Sequence, residues 1–471
     1  MQLKRVFAAI LSALTALSLS GCSVVNTNIE TVVSPPKMTS EQAAIYKALE
    51  NTGQTGKNID LKYPQSGENR SAIVLENIDE EESREALVFY ESKTQSSMSG
   101  GGLRVCLLDQ IDGEWVTVWD VAGAGTEVDK VVFLYDSETA RKLVIIGFSI
   151  ENQQQKLYKV FTYEDKSFNS IFEGNYQVLE VYDIDEDGQD EIITVNAESS
   201  ETDNINKSAT SGTLPVKTKA SLIKYRNETF EKIDEIELLG QAVEYNNIIK
   251  DENNATFGRP ALFLDEVLAA KSSSITYATE ILVCEEGKLK NLVDDGSEEC
   301  RLFQQTYRVQ APSCDDIDGD GKIEIPNTRL FPGYSESDEH PMYMTEWYCL
   351  TDGELTLSRA SYINYTQGFG FLLPDGWIDK VTVKSVVEND EISFFVFDET
   401  LDNDSRKILS LKVDNISENT NRSAGIPAGY FEISRVGQLA FLAKNHNIGG
   451  EFNIQNGEIF ENFVDLYLLG D

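Results

Sequence analysis

Histidine is almost missing: His340 and His446 are the only two in 471 residues. That leaves little material for histidine acid–base catalysis or for a histidine zinc site. Positive charge is scarce as well. Against 79 Asp and Glu stand 40 Lys and Arg, a formal charge of −39. A surface this negative repels phosphate backbones and anionic membrane surfaces, so nucleic acid is excluded as an expected partner. Past the first 21 residues no apolar run is long enough to span a bilayer. The chain has no GxSxG elbow, no HExxH and no Walker A sequence. None of the six cysteines shows CxxC spacing, and the five beyond Cys22 are an odd number, which is not a complete disulfide framework. Cys106, Cys284 and Cys349 sit in apolar, strand-like runs and read as small core residues. Cys300 and Cys314 are the candidates for a bridge.

A hydrophobic share of 41% and an aromatic share of 10% support sizeable cores, so the acidity does not imply disorder. Length allows two or three domains. The N-terminus reads as an export signal: Lys4 and Arg5, then an apolar stretch from Val6 to Leu19, too short to span comfortably. It ends in Leu19-Ser20-Gly21-Cys22, which resembles a bacterial lipobox. The resemblance implies a signal peptide over 1–21, lipidation of Cys22, and anchoring on the extracytoplasmic face of a bacterial cell membrane. The polar stretch 22–38, with Ser34-Pro35-Pro36, reads as a tether. Thr39 and Gln42 stand at capping-box spacing, and Ala44, Ile45, Ala48 and Leu49 form an apolar stripe, which predicts a short helix ending near Gly53.

From Ala72 to Ile363 one hairpin recurs five times, with turns near Gly113, Lys166, Glu228, Gly287 and Gly353. Upstream of each comes a strand, a polar loop and a second strand; the loops run 77–85, 136–142, 183–191, 250–259 and 316–324. Each period therefore holds about four antiparallel strands, the content of one propeller blade. The expected fold is mainly β: an N-terminal helix and a β-propeller of about five four-stranded blades over 39–363. A small α+β domain is expected over 364–471, with a closing helix in Phe452–Leu469. That segment opens with Gly368-Phe369-Gly370-Phe371-Leu372-Leu373-Pro374-Asp375-Gly376-Trp377, which resembles the start of small PsbP/Mog1-like domains. The rival reading makes its strands a further blade or the closure of the ring.

Two of the loops read D-x-D-x-D-G-x-x-E. The first is Asp183, Asp185, Asp187, Gly188, Gln189 and Glu191; the second is Asp316, Asp318, Asp320, Gly321, Lys322 and Glu324. Calcium takes six to eight oxygens around a tight turn. Carboxylates at positions 1, 3, 5 and 9 supply them, the glycine permits the bend, and Gln189 or Lys322 offers a backbone carbonyl. Position 12 is Thr194 or Asn327 and the flanks are strand-like, unlike an EF-hand. The nine-residue form between strands resembles the FG-GAP/VCBS calcium loops of integrin-like propellers, which implies structural calcium in both. The other loops look decayed: Asn77, Asp79, Glu81 and Glu85 keep some oxygens, but Glu82 replaces the glycine, and no metal is expected in these loops. Trp115, Trp119, Trp347 and Trp377 read as core. The sequence therefore favours a calcium-stabilised, lipid-anchored scaffold or binding protein with a protein or glycan partner. The alternative is an enzyme acting on cell-wall or extracellular polysaccharide.

Overall fold

The computed structural model describes residues 38–466 except 52–58, 80, 93–101, 138, 152, 154, 198–216, 269–274, 311, 387–390, 400, 402–405 and 416–425. The expected export signal, Cys22, the expected tether to Lys37 and Gly53 lie outside the described residues. Helix Ser40–Glu50 begins as its sequence requires. The Thr39 hydroxyl accepts the Gln42 N–H at 3.1 Å, and the Gln42 side chain accepts the Thr39 N–H at 3.0 Å. Its Ile45 and Leu49 are buried against the first sheet beside Val88 and Cys106.

The described residues form mostly β structure: six antiparallel sheets that follow one another along the chain. They span residues 59–122, 127–176, 178–237, 242–291, 325–372 with 463–465, and 381–445. The second, third and fourth are four-stranded, with their strands in chain order; the other three have five strands. Among the described residues no sheet closes on itself, and no strand of the first sheet pairs with the sixth.

All five recurring hairpins form. Each turns through two successive residues of positive φ: Asp112–Gly113, Asp165–Lys166, Asn227–Glu228, Glu286–Gly287 and Asp352–Gly353. This is the turn whose twist matches that of the flanking strands. Four of the hairpins also carry a register shift within the pair, at Leu107/Leu108, Val160/Phe161, Leu222/Ile223 and Trp347/Tyr348.

Strand alternation sends successive residues to opposite neighbours. In the third sheet Ile192 packs toward Leu143 and Val160 of the second, whereas Ile193 packs toward Leu262 and Leu282 of the fourth. In the fourth sheet Leu262 faces back to Val195 while Phe263 faces on to Ile325 of the fifth. Inner strands covered on both faces therefore read as unbroken apolar runs rather than as alternating ones. Similar clusters join the first sheet to the second and the fifth to the sixth.

Past Ile363 the arrangement differs from a separate α+β unit. Residue 363 lies inside strand Glu354–Asn364, and the next strand, Phe369–Leu372, pairs with it. One apolar cluster draws Phe331, Met344 and Tyr362 together with Val383, Phe394, Leu411 and Phe441 from beyond the expected boundary. The closing helix is short, Asn456–Glu461, and Phe463–Asp465 is a strand on the edge of the fifth sheet. The helical spacing of Phe463 and Val464 gave way to pairing with Phe371 and Gly370, which satisfies backbone groups on both segments. Trp347 and Trp377 are buried, and the Trp347 indole N–H donates to Ser361 Oγ at 2.8 Å. The described cysteines are free: Cys314 is buried beside Thr279 and Asp265, and Cys300 opens the short helix Arg301–Gln304.

Candidate metal centre

The two D-x-D-x-D-G-x-x-E loops adopt one backbone conformation. Position 4 has positive φ in both, Glu186 at 58° and Gly319 at 75°, as has position 6, Gly188 at 87° and Gly321 at 88°. The position-6 N–H donates to the position-1 carboxylate, Gly188 to Asp183 at 2.9 Å and Gly321 to Asp316 at 2.8 Å. The position-7 N–H donates to position 5, Gln189 to Asp187 at 3.1 Å and Lys322 to Asp320 at 2.9 Å. The glutamate at position 9 is fully buried and accepts the N–H of position 2: Ile184 to Glu191 at 3.1 Å and Ile317 to Glu324 at 3.2 Å. Ile184 and Ile317 are buried, which pins each loop to the sheet below it.

Carboxylate oxygens of Asp183, Asp185, Asp187 and Glu191 lie within 4.8 Å of one another, as do those of Asp316, Asp318 and Glu324. Asp320 stands apart. It is held at the surface by Lys322 Nζ at 2.7 Å, so Lys322 neutralises a neighbouring acid here. The Gln189 side-chain amide donates to Ser137 Oγ at 2.6 Å, away from the acidic centre.

Three residues near these loops escaped the sequence reading, and all three occupy one structural position. The strand register sets Glu191 opposite Lys224, Glu324 opposite Cys349, and Glu85 opposite Asp109, each one step beyond a registered pair. Lys224 Nζ reaches Asp185 at 2.5 Å, Asp187 at 2.7 Å and Glu191 at 3.1 Å. Cys349, expected in the core, is half-buried with its thiol 3.6 Å from Glu324 Oε1. Glu85 repeats the position-9 pattern by accepting the Ile78 N–H at 2.7 Å, and Asp109 accepts the Tyr163 hydroxyl at 2.9 Å.

Burial penalises charge on the position-9 acids. It raises Glu191 to about 7, against the opposing hydrogen bond from Lys224. It raises Glu324 to about 7, against the Ile317 N–H, and Glu85 to about 7, against the Ile78 N–H. Burial also works against the Lys224 ammonium, but the hydrogen bonds to Asp185, Asp187 and Glu191 outweigh it and raise its pKa above the ordinary lysine value.

The oxygens around 316–324 suit a hard divalent ion. Asp316 Oδ1 and Asp318 Oδ1 are buried and accept no hydrogen bond. A cation bound there would satisfy both. The 183–191 set offers four carboxylates against three, and Asp185 Oδ1 and Glu191 Oε1 there also accept no hydrogen bond, but an ammonium already stands among them.

No family model matches the chain, and no curated protein does. Among solved structures, a Bacillus licheniformis rhamnogalacturonan lyase is 11% identical, with 73% of this chain and 74% of that one covered and a TM-score of 0.30. A Lactobacillus plantarum protein is 10% identical, covering 71% and 82% at a TM-score of 0.26. A hypothetical selenium-binding protein from Sulfolobus tokodaii is 9% identical at a TM-score of 0.26; the match covers 49% of this chain and 56% of that one.

Proposed function

We propose that this protein is a lipid-anchored, extracytoplasmic binding or scaffold protein whose successive sheets stand as propeller blades and whose acidic loops are closed by cations. The observation that carries this reading is the shared end of the sheets. Antiparallel order puts each acidic loop and each hairpin turn at the same end. A cleft of about 1140 Å³ opens there, lined by Asn77, Asp79, Asp136, Arg141, Glu164 and Glu228 among others. Groups of both signs around an open cleft suit a polar ligand, such as a glycan or a polar peptide segment, better than an apolar one. Burial raises the carboxyls of Glu266 and Glu280, but both are fully enclosed in the fourth sheet, where no substrate reaches them.

Calcium is the proposed ion at Asp316, Asp318 and Glu324. Bound there, it supplies charge neutralisation and no chemistry. A ligand at 100 times its dissociation constant stabilises the fold by about 2.7 kcal/mol. Chelator should therefore lower the melting temperature of the full chain, and Asp318→Asn should remove the difference; a melt indifferent to calcium refutes the assignment. Anchoring rests on Cys22. Cys22→Ser should release the protein from the membrane fraction or leave it unprocessed, and a normally processed, membrane-bound variant refutes the lipoprotein reading.

The carboxylates in the cleft favour one second reading, an enzyme acting on polysaccharide. Turnover abolished by Asp136→Asn or Glu164→Gln would establish that reading over simple binding. Glycan retention without turnover would establish the binding protein.

A further inference from the structure

We propose that the residue facing the position-9 glutamate selects the cation that closes each loop: Lys224 closes the 183–191 loop from within, and Cys349 leaves the 316–324 loop to a divalent metal. The inference rests in part on the calcium reading above, and the test separates the two.

Lys224 belongs to strand Thr218–Arg226, outside the loop, and its side chain is 5% exposed. An ammonium has three N–H donors. Lys224 donates to Asp185 and Asp187 and forms an ion pair with Glu191 at 3.1 Å. Arg226, two residues along the same strand, adds a second cation 3.3 Å from Asp187. A divalent ion held by the same oxygens would stand beside that enclosed ammonium, where like charges repel strongly. The loop shares with 316–324 its positive-φ positions and three hydrogen bonds, and adds one, from the Asp187 N–H to Asp183 Oδ1 at 3.1 Å. The difference in charge lies on the opposing strand.

In the fifth sheet that strand offers a thiol. Cys349 brings no charge to Glu324, and the nearby cations sit at the rim. Arg359, two-fifths exposed, holds only Asp318 Oδ2 at 3.0 Å, and Lys322 holds Asp320 outside the cluster. Asp316 Oδ1 and Asp318 Oδ1 accept no hydrogen bond; in the other loop Asp185 Oδ1 and Glu191 Oε1 accept none either, but there Glu191 Oε1 faces the Lys224 ammonium at 3.1 Å. The same loop thus has its cation covalently supplied in one sheet and left to solution in the other.

Exchange of the two residues tests this. Calcium uptake and thermal melting would be followed on the full chain for the wild type, Lys224→Cys and Cys349→Lys. The wild type should take one ion. Lys224→Cys should take two, melt lower than wild type in chelator and regain the loss with calcium. Cys349→Lys should take none and melt alike with and without chelator. A wild type that takes two ions, one of them lost in Asp185→Asn, overturns the proposal and leaves the calcium reading standing. A wild type that takes none, with an ion gained in Lys224→Cys, supports the role of Lys224 and refutes the metal at 316–324. A Lys224→Cys chain that folds and gains no ion overturns the proposal. If that chain does not fold, Cys349→Lys decides: continued calcium uptake overturns the proposal, and loss of uptake with a chelator-indifferent melt supports it.

Discussion

Single carboxylates in this chain are set by their donors more than by its overall acidity. Glu391, at the start of strand Glu391–Val396, is nearly buried, and burial alone would raise its pKa. Instead it accepts hydrogen bonds from Ser393 Oγ at 2.6 Å, Ser410 Oγ at 2.8 Å, Lys407 Nζ at 3.1 Å and the Tyr430 hydroxyl. These outweigh burial and hold it at about 2, below the ordinary 4.5. A folded value below the unfolded one means a contribution fully present above the unfolded pKa and lost as pH falls toward 2. The contribution is of order 3 kcal/mol. Glu391→Gln should therefore destabilise the protein by that order at pH 7 and by far less near pH 2. Denaturant unfolding at both pH values reads this, and an equal loss at both would show that the charge of Glu391 is not what its donors stabilise.

At the scale of elements, the loops and hairpins were legible because each carries its own local requirement. Asp-Gly or Asn-Glu at the tip, with apolar runs on either side, demands a tight turn, and position-6 glycine demands positive φ. Gly321→Ala and Gly188→Ala test that demand. Space is not the obstacle: a Cβ at Gly321 would meet Ala255 at an ordinary 3.6 Å, and one at Gly188 would meet nothing within 4 Å. The left-handed backbone is the obstacle, at about 1–2 kcal/mol per position. Each variant should lose about that much stability in thermal or denaturant unfolding, and unchanged melting would show that the loop does not need this conformation. The partner of the position-9 glutamate was less legible, because it lies on another strand. Yet Asp109, Lys224 and Cys349 each stand three residues before the first residue of the turn, so the hairpin repeat held the register. Asp320 stands outside the cluster for a different reason. Carboxylate spacing does not reveal that Lys322, two residues on, draws the side chain outward.

At the scale of the molecule, the periodic acidic loop marks the first five sheets and is missing from the sixth, which made the end of the motif look like the end of a domain. The core ignores that boundary. Phe331, Met344, Ala360 and Tyr362 are covered by Phe371, Val383 and Phe394, and strand Phe463–Asp465 returns to the fifth sheet. A chain cut after residue 363 would expose that apolar face and the edge of strand Glu354–Asn364. It should aggregate or lose its cooperative melt, and residues 364–471 alone should not fold cooperatively. Two fragments that each melt cooperatively would restore the division at 363. The cation-closed loop is tested most directly by the number of calcium ions per full-length chain after equilibrium dialysis, measured by elemental analysis. One ion is expected in the wild type and none in Asp318→Asn; a wild-type chain that holds none contradicts the metal centre at Asp316, Asp318 and Glu324.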